Sequence, residues 1–380
     1  MRPKFKEIMK PVVVHQNVIR IGLETDSYEI DDSDGVINEI IELLDGKRDI
    51  LEISEVSSIP VDMIEECIHA LNEIGCIEDE SVDPYQYINK KDLERYRANL
   101  TFYTNFTSLE KNKFEFQKKI KDSTVAILGL GGASLGVACL TGLGVENIIG
   151  VDYDLVETSN LNRQFLYSEK NIGELKTEAT LNRLKELNSD VNFKFINKKI
   201  KSSDDLNSII KEADIVINAI DSPAILCNRW VNAACVKQNI PYIQGGVSNT
   251  QIIWERIVPN QSGCYDCYLI HALRLDPFFE YQLKAIYNNH FPGRNVTTGP
   301  HVALLNGFMT SEVAKLLSGY TEAMPASTTM IYDKINIEIK KNFKWDKLPD
   351  CPTCGKENEN IEPVSLEELI SIAKQGTAVQ

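Results

Sequence analysis

Apolar positions change their period along this chain, and the changes mark its parts. Val12-Val13-Val14, Val18-Ile19-Arg20-Ile21-Gly22-Leu23 and Ser27-Tyr28-Glu29-Ile30 are short and extended in pattern, predicting three strands, the first two turned at Gln16-Asn17. The period then lengthens. Ile37, Ile40, Ile41 and Leu44 recur at helical spacing behind a candidate N-cap at Ser33, and Gly46 stops the run. A second helix is expected from Pro60, with Met63, Ile64, Cys67, Ile68, Leu71 and Ile74 on one face and Gly75 at its end, before Cys76-Ile77-Glu78 re-extends. Strands, helices and a return strand make residues 1–80 a small winged-helix-like α+β domain. Residues 81–117 are polar and poorly periodic apart from Leu93, Tyr96 and Leu100, which predicts a linker with a helix in it.

From about residue 118 the chain alternates. Thr124–Leu128, Asn147–Val151, Phe193–Ile196 and Ile215–Ala219 read as buried strands, with helices around Ala138–Leu140, over Thr177–Leu187 and near Leu206–Lys211. Alternation of this kind predicts an α/β domain, a doubly wound, mainly parallel sheet extending to residue 380. No solenoid-length repeat or low-complexity tract interrupts it.

Composition narrows the classes. With 380 residues, 43% hydrophobic and 25% charged, the chain has material for two globular domains. A net charge of -15 disfavours nucleic acid as a partner, and no basic stripe offsets it. No apolar run is long enough to cross a bilayer, and Met1-Arg2-Pro3-Lys4 leads into charge, so a cytoplasmic protein without a membrane partner is expected. The first domain is acidic over its helices at Glu52, Glu55, Asp62, Glu65 and Glu66, which points to a peptide ligand rather than DNA; a packing or dimerisation module is the alternative.

The chemistry concentrates at strand ends. Gly129, Gly131 and Gly132 follow the strand ending at Leu128 and open a helix, with Ser134 where a third loop glycine is common. Such a turn lets backbone N–H groups approach a phosphate, beside a helix N-terminus worth about half a positive charge. Asp152 and Asp154 close the next strand, where an acidic group meets a ribose hydroxyl. Next come Asn160, Asn162, Arg163 and Gln164, and then Lys176. A hydride-transfer site has no use for so dense a polar cluster, whereas a triphosphate attacked at its α-phosphorus needs such charge-assisted donors. Asp221, past the strand at Ile215, supplies a carboxylate for a hard magnesium ion. Arg163, Lys176 and Asp221 are therefore the candidate catalytic residues, with ATP and Mg2+ as cofactors. Two C-x-x-C pairs, Cys264/Cys267 and Cys351/Cys354, fit a closed tetrahedral Zn2+ site that staples the end of the chain to its body; a redox dithiol is the alternative.

The glycine loop, Asp152-x-Asp154, Asn160-Leu161-Asn162-Arg163-Gln164, Gly173 with Lys176, Asp221 and the paired C-x-x-C together resemble the ThiF, MoeB and ubiquitin-activating adenylyltransferase superfamily over about Arg95 to Gly355. Within it the chain is similar to the peptide-modifying adenylyltransferases of microcin C and pantocin A type. The resemblance implies a Rossmann-like adenylation domain in a homodimer, preceded by a peptide clamp that recognises a ribosomal precursor peptide. It further implies that Asp154 contacts ribose, that Arg163, Gln164 and Lys176 hold the triphosphate, and that Asp221 binds magnesium. Such proteins commonly carry Arg-Tyr-x-Arg before the Rossmann unit; here Arg95-Tyr96-Arg97-Ala98 leaves only Arg95 or Arg97 for that role. No cysteine lies between Tyr268 and Pro300, which disfavours a covalent sulfur relay there. That segment, with His271, Arg274, His290 and Arg294, is expected to cover the reacting end of the peptide. The implied outcome is a cyclised or dehydrated peptide; a nucleotide conjugate and a non-catalytic presenting protein stay open beside it.

Overall fold

A computed structural model describes residues 1–23, 26–288, 296–355 and 361–375, which fall into two compact units. The first holds Met1–Lys119 with Ser318–Thr321, and the second the remainder. Among the described residues no helix is long and apolar enough to cross a membrane.

In the first unit, β1 (Pro3–Phe5) pairs antiparallel with β5 (Ile77–Asp79), while β2 (Val12–His15), β3 (Val18–Leu23) and β4 (Asp26–Asp31) form an antiparallel meander in that order. Ile19 and Ile21 of β3 face a core completed by Ile40, Ile53, Ile64, Ile68 and Leu71 from three helices, α1 (Val36–Leu43), α2 (Ile50–Ser57) and α3 (Val61–Glu73). Two details correct the sequence reading. The expected cap at Ser33 is replaced by Asp32, whose carboxylate accepts from the backbone of Ile37 at 2.9 Å and Asn38 at 3.1 Å, with Gly35 in the left-handed region at the helix entry. Helix α2 is additional. Its capping box, Asp49 with Glu52, is legible in the sequence, but its length of 8 residues gives too little periodicity to register.

Residues 81–117 carry α4 (Lys90–Arg95), α5 (Arg97–Tyr103) and the start of α6 (Lys113–Lys121). They belong to the first unit rather than bridging two units. Tyr103 and Phe106 pack there against Tyr320, ring centroids 5.4 and 4.7 Å apart.

The second unit is one eight-stranded sheet. In chain order its strands are β6 (Thr124–Leu128), β7 (Asn147–Asp152), β8 (Asn192–Asn197), β9 (Ile215–Asn218), β10 (Tyr242–Val247), β11 (Gln251–Ile257), β12 (Thr328–Asp333) and β13 (Glu338–Lys344). In space they run β13-β12-β11-β10-β9-β6-β7-β8, parallel from β8 to β10 and antiparallel from β10 to β13. The central strands β6 and β9 are buried on both faces, which is why they read as unbroken apolar runs. The edges differ: β8 alternates exposed and half-buried positions, and β13 exposes lysines that discourage further pairing. Around the sheet lie α7 (Ser134–Leu143), α8 (Lys176–Leu187), α9 (Asp204–Ile210), α10 (Leu226–Gln238), α11 (Tyr265–Leu275), α12 (Phe279–Tyr287), α13 (Gly299–Ser318) and α14 (Leu366–Gln375). The sequence reading names no element beyond Ile220, so the antiparallel half of the sheet is new. Chain order reverses between β6 and β9, and a crevice opens at their carboxyl ends, where α/β sheets bind ligands.

A buried ion pair locks the C-terminal part to this sheet. Arg229 of α10 and Asp266 of α11 are both fully buried, joined by Nε to Oδ1 at 2.8 Å and Nη2 to Oδ2 at 3.1 Å. Arg229 also donates to the carbonyl of Val364 at 2.8 Å, and Thr353 donates to Asp266 at 2.7 Å. Arg229→Leu, leaving Asp266 uncompensated, is expected to cost about 3–5 kcal/mol in urea unfolding, and replacing both residues by leucine to recover part of that loss. An unshifted urea midpoint for the single variant contradicts this.

Candidate functional site

Ten of the eleven candidate nucleotide residues meet in one cleft of about 220 Å3 at the reversal of strand order. The β6 end contributes Gly129, Gly131 and Gly132, the β7 end Asp152 and Asp154, the following turns Asn160, Arg163 and Gln164, helix α8 Lys176, and the β9 end Asp221. Gly129 is required twice over. Its φ of +93° lies in the left-handed region, and a Cβ there would stand 2.7 Å from the carbonyl oxygen of Ala219. Asn162 does not line the cleft; it is exposed, and its Oδ1 accepts from Arg163 at 2.8 Å.

Several of these residues build the cleft rather than offer it free groups. Asp152 accepts from the backbone of Leu130 at 2.7 Å with one oxygen and of Asp154 at 2.8 Å with the other. Asn160 closes a short turn by accepting from the backbone of Glu157 at 3.1 Å, and Arg163 reaches back to the carbonyl of Ser159 at 2.8 Å. Lys176 is the first residue of α8, and its ammonium lies 3.0 Å from Asp154. The arrangement fits a nucleotide on one direct count: the buried Oε1 of Gln164 has no hydrogen-bond partner, and its Nε2 lies 3.0 Å from where a Gly131 side chain would begin. Asp221 lies beyond the end of β9, exposed, where a cation bound to phosphate oxygens can reach it.

Sequence reasoning missed four residues. Tyr167 donates to the carbonyl of Leu130 at 3.1 Å, and burial holds its phenol neutral, well above its ordinary pKa. Asn306 of α13 accepts from Gly136 at 2.9 Å and donates to the carbonyl of Gly132 at 2.8 Å, holding the glycine loop from outside. A lone buried asparagine in an apolar helix was the available signal. Lys198 and Tyr153 also line the cleft. Cys227 stays out of the chemistry, since burial pushes its thiol up to about 12.

A second cavity of about 780 Å3 adjoins the first, with Ile220 and Asp221 lining both. The segment expected to cover it is instead largely helical, as α11 and α12. His271 is turned to the carbonyl of Asp346 at 3.2 Å, and Arg274 pairs with Asp350 at 2.7 Å; His290 and Arg294 lie outside the described residues. Arg95, Arg97 and Ala98 are exposed in the first unit.

The four cysteines of the C-x-x-C pairs come together, all buried, with sulfurs within 4.8 Å of one another. Contacts of 3.5 Å between Cys264 and Cys351, 3.4 Å between Cys267 and Cys354 and 3.9 Å between Cys264 and Cys267 surround the value of about 3.8 Å that tetrahedral Zn–S bonds require. The donor set and its closure fit a structural metal.

Comparison with known proteins agrees with this geometry. The model of the ThiF family matches residues 103–353. The chain belongs to the ThiF family. It is 30% identical to the sulfur carrier protein ThiS adenylyltransferase of Escherichia coli K12 over 288 residues, 73% of this chain and all of that one. The molybdopterin-synthase adenylyltransferase of the same organism is 30% identical over 251 residues, 64% of this chain and 91% of the relative. Among solved structures, E. coli MccB with AMPCPP and MccA superposes with a TM-score of 0.75 at 26% identity, covering 93% of this chain and all of that one. PaaA, at 20% identity and a TM-score of 0.68, shares the fold. This ThiF-family chain is an adenylyl-transferring enzyme, and its reaction implies ATP and Mg2+.

Zinc at about one per chain is expected on elemental analysis of protein prepared without chelator, and protein without metal contradicts the cage. Gly131→Ala is expected to weaken ATP binding about tenfold by crowding Gln164 and Lys176, without moving the melting temperature; calorimetric titration reads this directly.

Proposed function

We propose that the enzyme activates a carboxyl group of a ribosomally made precursor peptide as an acyl-adenylate. The observation that carries this reading is the junction of the two cavities at Asp221: one is lined by the glycine loop and the cationic donors a triphosphate needs, and the other is large, partly aromatic and open to a peptide end. A carboxylate oxygen of the peptide attacks the α-phosphorus of ATP, the bond to the β-phosphate oxygen breaks, and pyrophosphate leaves. Glycine-loop N–H groups, Arg163 and Lys176 would hold the phosphates, with Lys176 released from Asp154, which is then open to a ribose hydroxyl. A magnesium ion at Asp221 would supply charge neutralisation of the phosphate oxygens.

Two observations support a peptide over a sulfur carrier protein. The MccB structures, several of them with the MccA peptide, align over 93% or more of this chain, whereas the ThiS adenylyltransferase aligns over 73%. The first unit ends its meander on an edge strand, β4, and an edge strand can take a peptide as a further strand. In this reading residues 1–80 clamp the leader of the precursor. A homodimer, with Arg95 or Arg97 serving the neighbouring active site, completes the arrangement; a monomer by light scattering removes that part. The activated carbonyl is then attacked by a nitrogen of the peptide, AMP leaves, and the product is cyclised or dehydrated in the manner of an antibiotic peptide. Nucleotide conjugation shares every step before AMP departs.

Labelled pyrophosphate is expected to exchange into ATP only with the cognate precursor present, and Asp221→Asn to slow that exchange by about a hundredfold or more at unchanged melting temperature. Equal exchange without peptide sinks the substrate assignment. The mass of the reacted peptide separates the outcomes, because loss of water marks cyclisation and a retained nucleotide marks conjugation.

A further inference from the structure

The floor of the second cavity is a row of polar side chains in register across four neighbouring strands. Asn218 of β9 pairs with Gln244 of β10, Gln244 with Glu255 of β11, and Glu255 with Thr329 of β12. All four are buried, with the apolar pair Ile253 and Ile331 next to Glu255 and Thr329 on the same sheet face. Their hydrogen bonds run one way. Asn218 Oδ1 accepts from the backbone of Ile220 at 3.2 Å, so its Nδ2 donates to Asn228 at 2.9 Å and to Gln244 Oε1 at 3.1 Å. Gln244 is thereby left to donate through Nε2 to Glu255 Oε1, and Thr329 donates to Glu255 Oε2 at 3.3 Å. Donors from both neighbouring strands, Gln244 and Thr329, thus end on the Glu255 carboxyl.

Among the described residues no arginine or lysine lines this cavity, while Asp221, Glu255 and Asp276 do. The neighbouring Arg256 is engaged elsewhere, at the carbonyl of Met324. Burial raises the Glu255 carboxyl above its ordinary pKa, and the bonds from Gln244 and Thr329 oppose that rise. A buried carboxylate with two neutral donors, and no cation beside it among the described residues, has spare lone pairs at the cavity it lines. The walls beside it are aromatic: Tyr265 and Tyr268 stack with centroids 5.7 Å apart, and Phe343 meets Tyr268 at 5.8 Å. Ring faces next to a carboxylate favour an organic cation and give an anion nothing.

Resting on the acyl-adenylate reading above, we propose that Glu255 selects a substrate whose activated residue carries a cationic side chain, an ammonium or guanidinium group. The carboxyl of that residue lies at Asp221, its alkyl stem runs along Tyr265 and Tyr268, and its charged end meets Glu255 at the floor. A cation there gives the buried carboxyl of Glu255 the charge partner that no described lining residue supplies. Glu255 is a specificity-determining residue in this scheme and takes no part in the bond changes at phosphorus.

The test measures binding by calorimetry on the full-length protein with a non-hydrolysable ATP analogue present, using Nα-acetyl-lysine, Nα-acetyl-norleucine and Nα,Nε-diacetyl-lysine as probes. The lysine probe is expected to bind about tenfold or more tighter than the other two, which match its stem without its charge. Glu255→Gln is expected to reduce that advantage to about twofold or less while leaving affinity for the ATP analogue unchanged. An advantage under about threefold in the wild type, or one that survives in a folded Glu255→Gln, overturns the proposal, as does no binding of the lysine probe at about 10 mM. The diacetylated probe removes the charge from the ligand side, so the result stands even where the variant does not fold. A lysine advantage without pyrophosphate exchange by any substrate overturns the adenylation reading and leaves the cation site; exchange without a lysine advantage does the reverse.

Discussion

The carboxylate of Asp152 is the constraint on which the candidate nucleotide cleft depends. One oxygen fixes the backbone after Gly129, and the other fixes the turn that presents Asp154 and, further on, Arg163 and Gln164. An aspartate at the end of β7 thus sets the distance between the phosphate loop and the cationic cluster. Tyr167 and Asn306 secure the same loop at Leu130 and Gly132. With three buried polar anchors on one short stretch, the N–H groups are oriented before a ligand arrives, and binding pays little ordering entropy.

The sheet organises the site into two chemically different halves. Its parallel half ends in backbone N–H groups and mobile-charge side chains suited to phosphates. Its antiparallel half turns a broad face to the second cavity, and the polar row of Asn218, Gln244, Glu255 and Thr329 crosses it from the boundary strand outward. Asp221 stands where the halves meet, so an activated group and its nucleotide need move little relative to each other.

Much of the parallel half was legible in the sequence because buried parallel strands are apolar without interruption, as in Thr124–Leu128 and Ile215–Asn218, and because a glycine directly after such a strand, as Gly129 is, marks a tight turn. The cysteine cluster was legible from spacing alone. Helix α2 was too short to show a period, and the polar face of β10 to β12 was hidden because its meaning lies in cross-strand register, which a single strand does not carry. Tyr167 and Asn306 were missed for a related reason. Each acts on a backbone group far away in the chain, Asn306 on residues 170 or more positions earlier. The helical state of Tyr265–Leu275 was lost to the sequence reading because its charged residues suggested a covering loop, whereas His271 and Arg274 fasten the C-terminal segment.

The four-thiolate cage joins residues 87 positions apart in two places, Cys264 to Cys351 and Cys267 to Cys354. With a metal in place, everything from α12 through β13 becomes a closed ring hung on a single inorganic knot. A backbone break inside that ring would leave two polypeptides still tied by the ion as well as by the sheet and core. The same ring bears both α13, whose Asn306 holds the phosphate loop, and Thr329 at the end of the polar row. Loss of such an ion would therefore loosen the linings of both cavities together, although no described cysteine lines either.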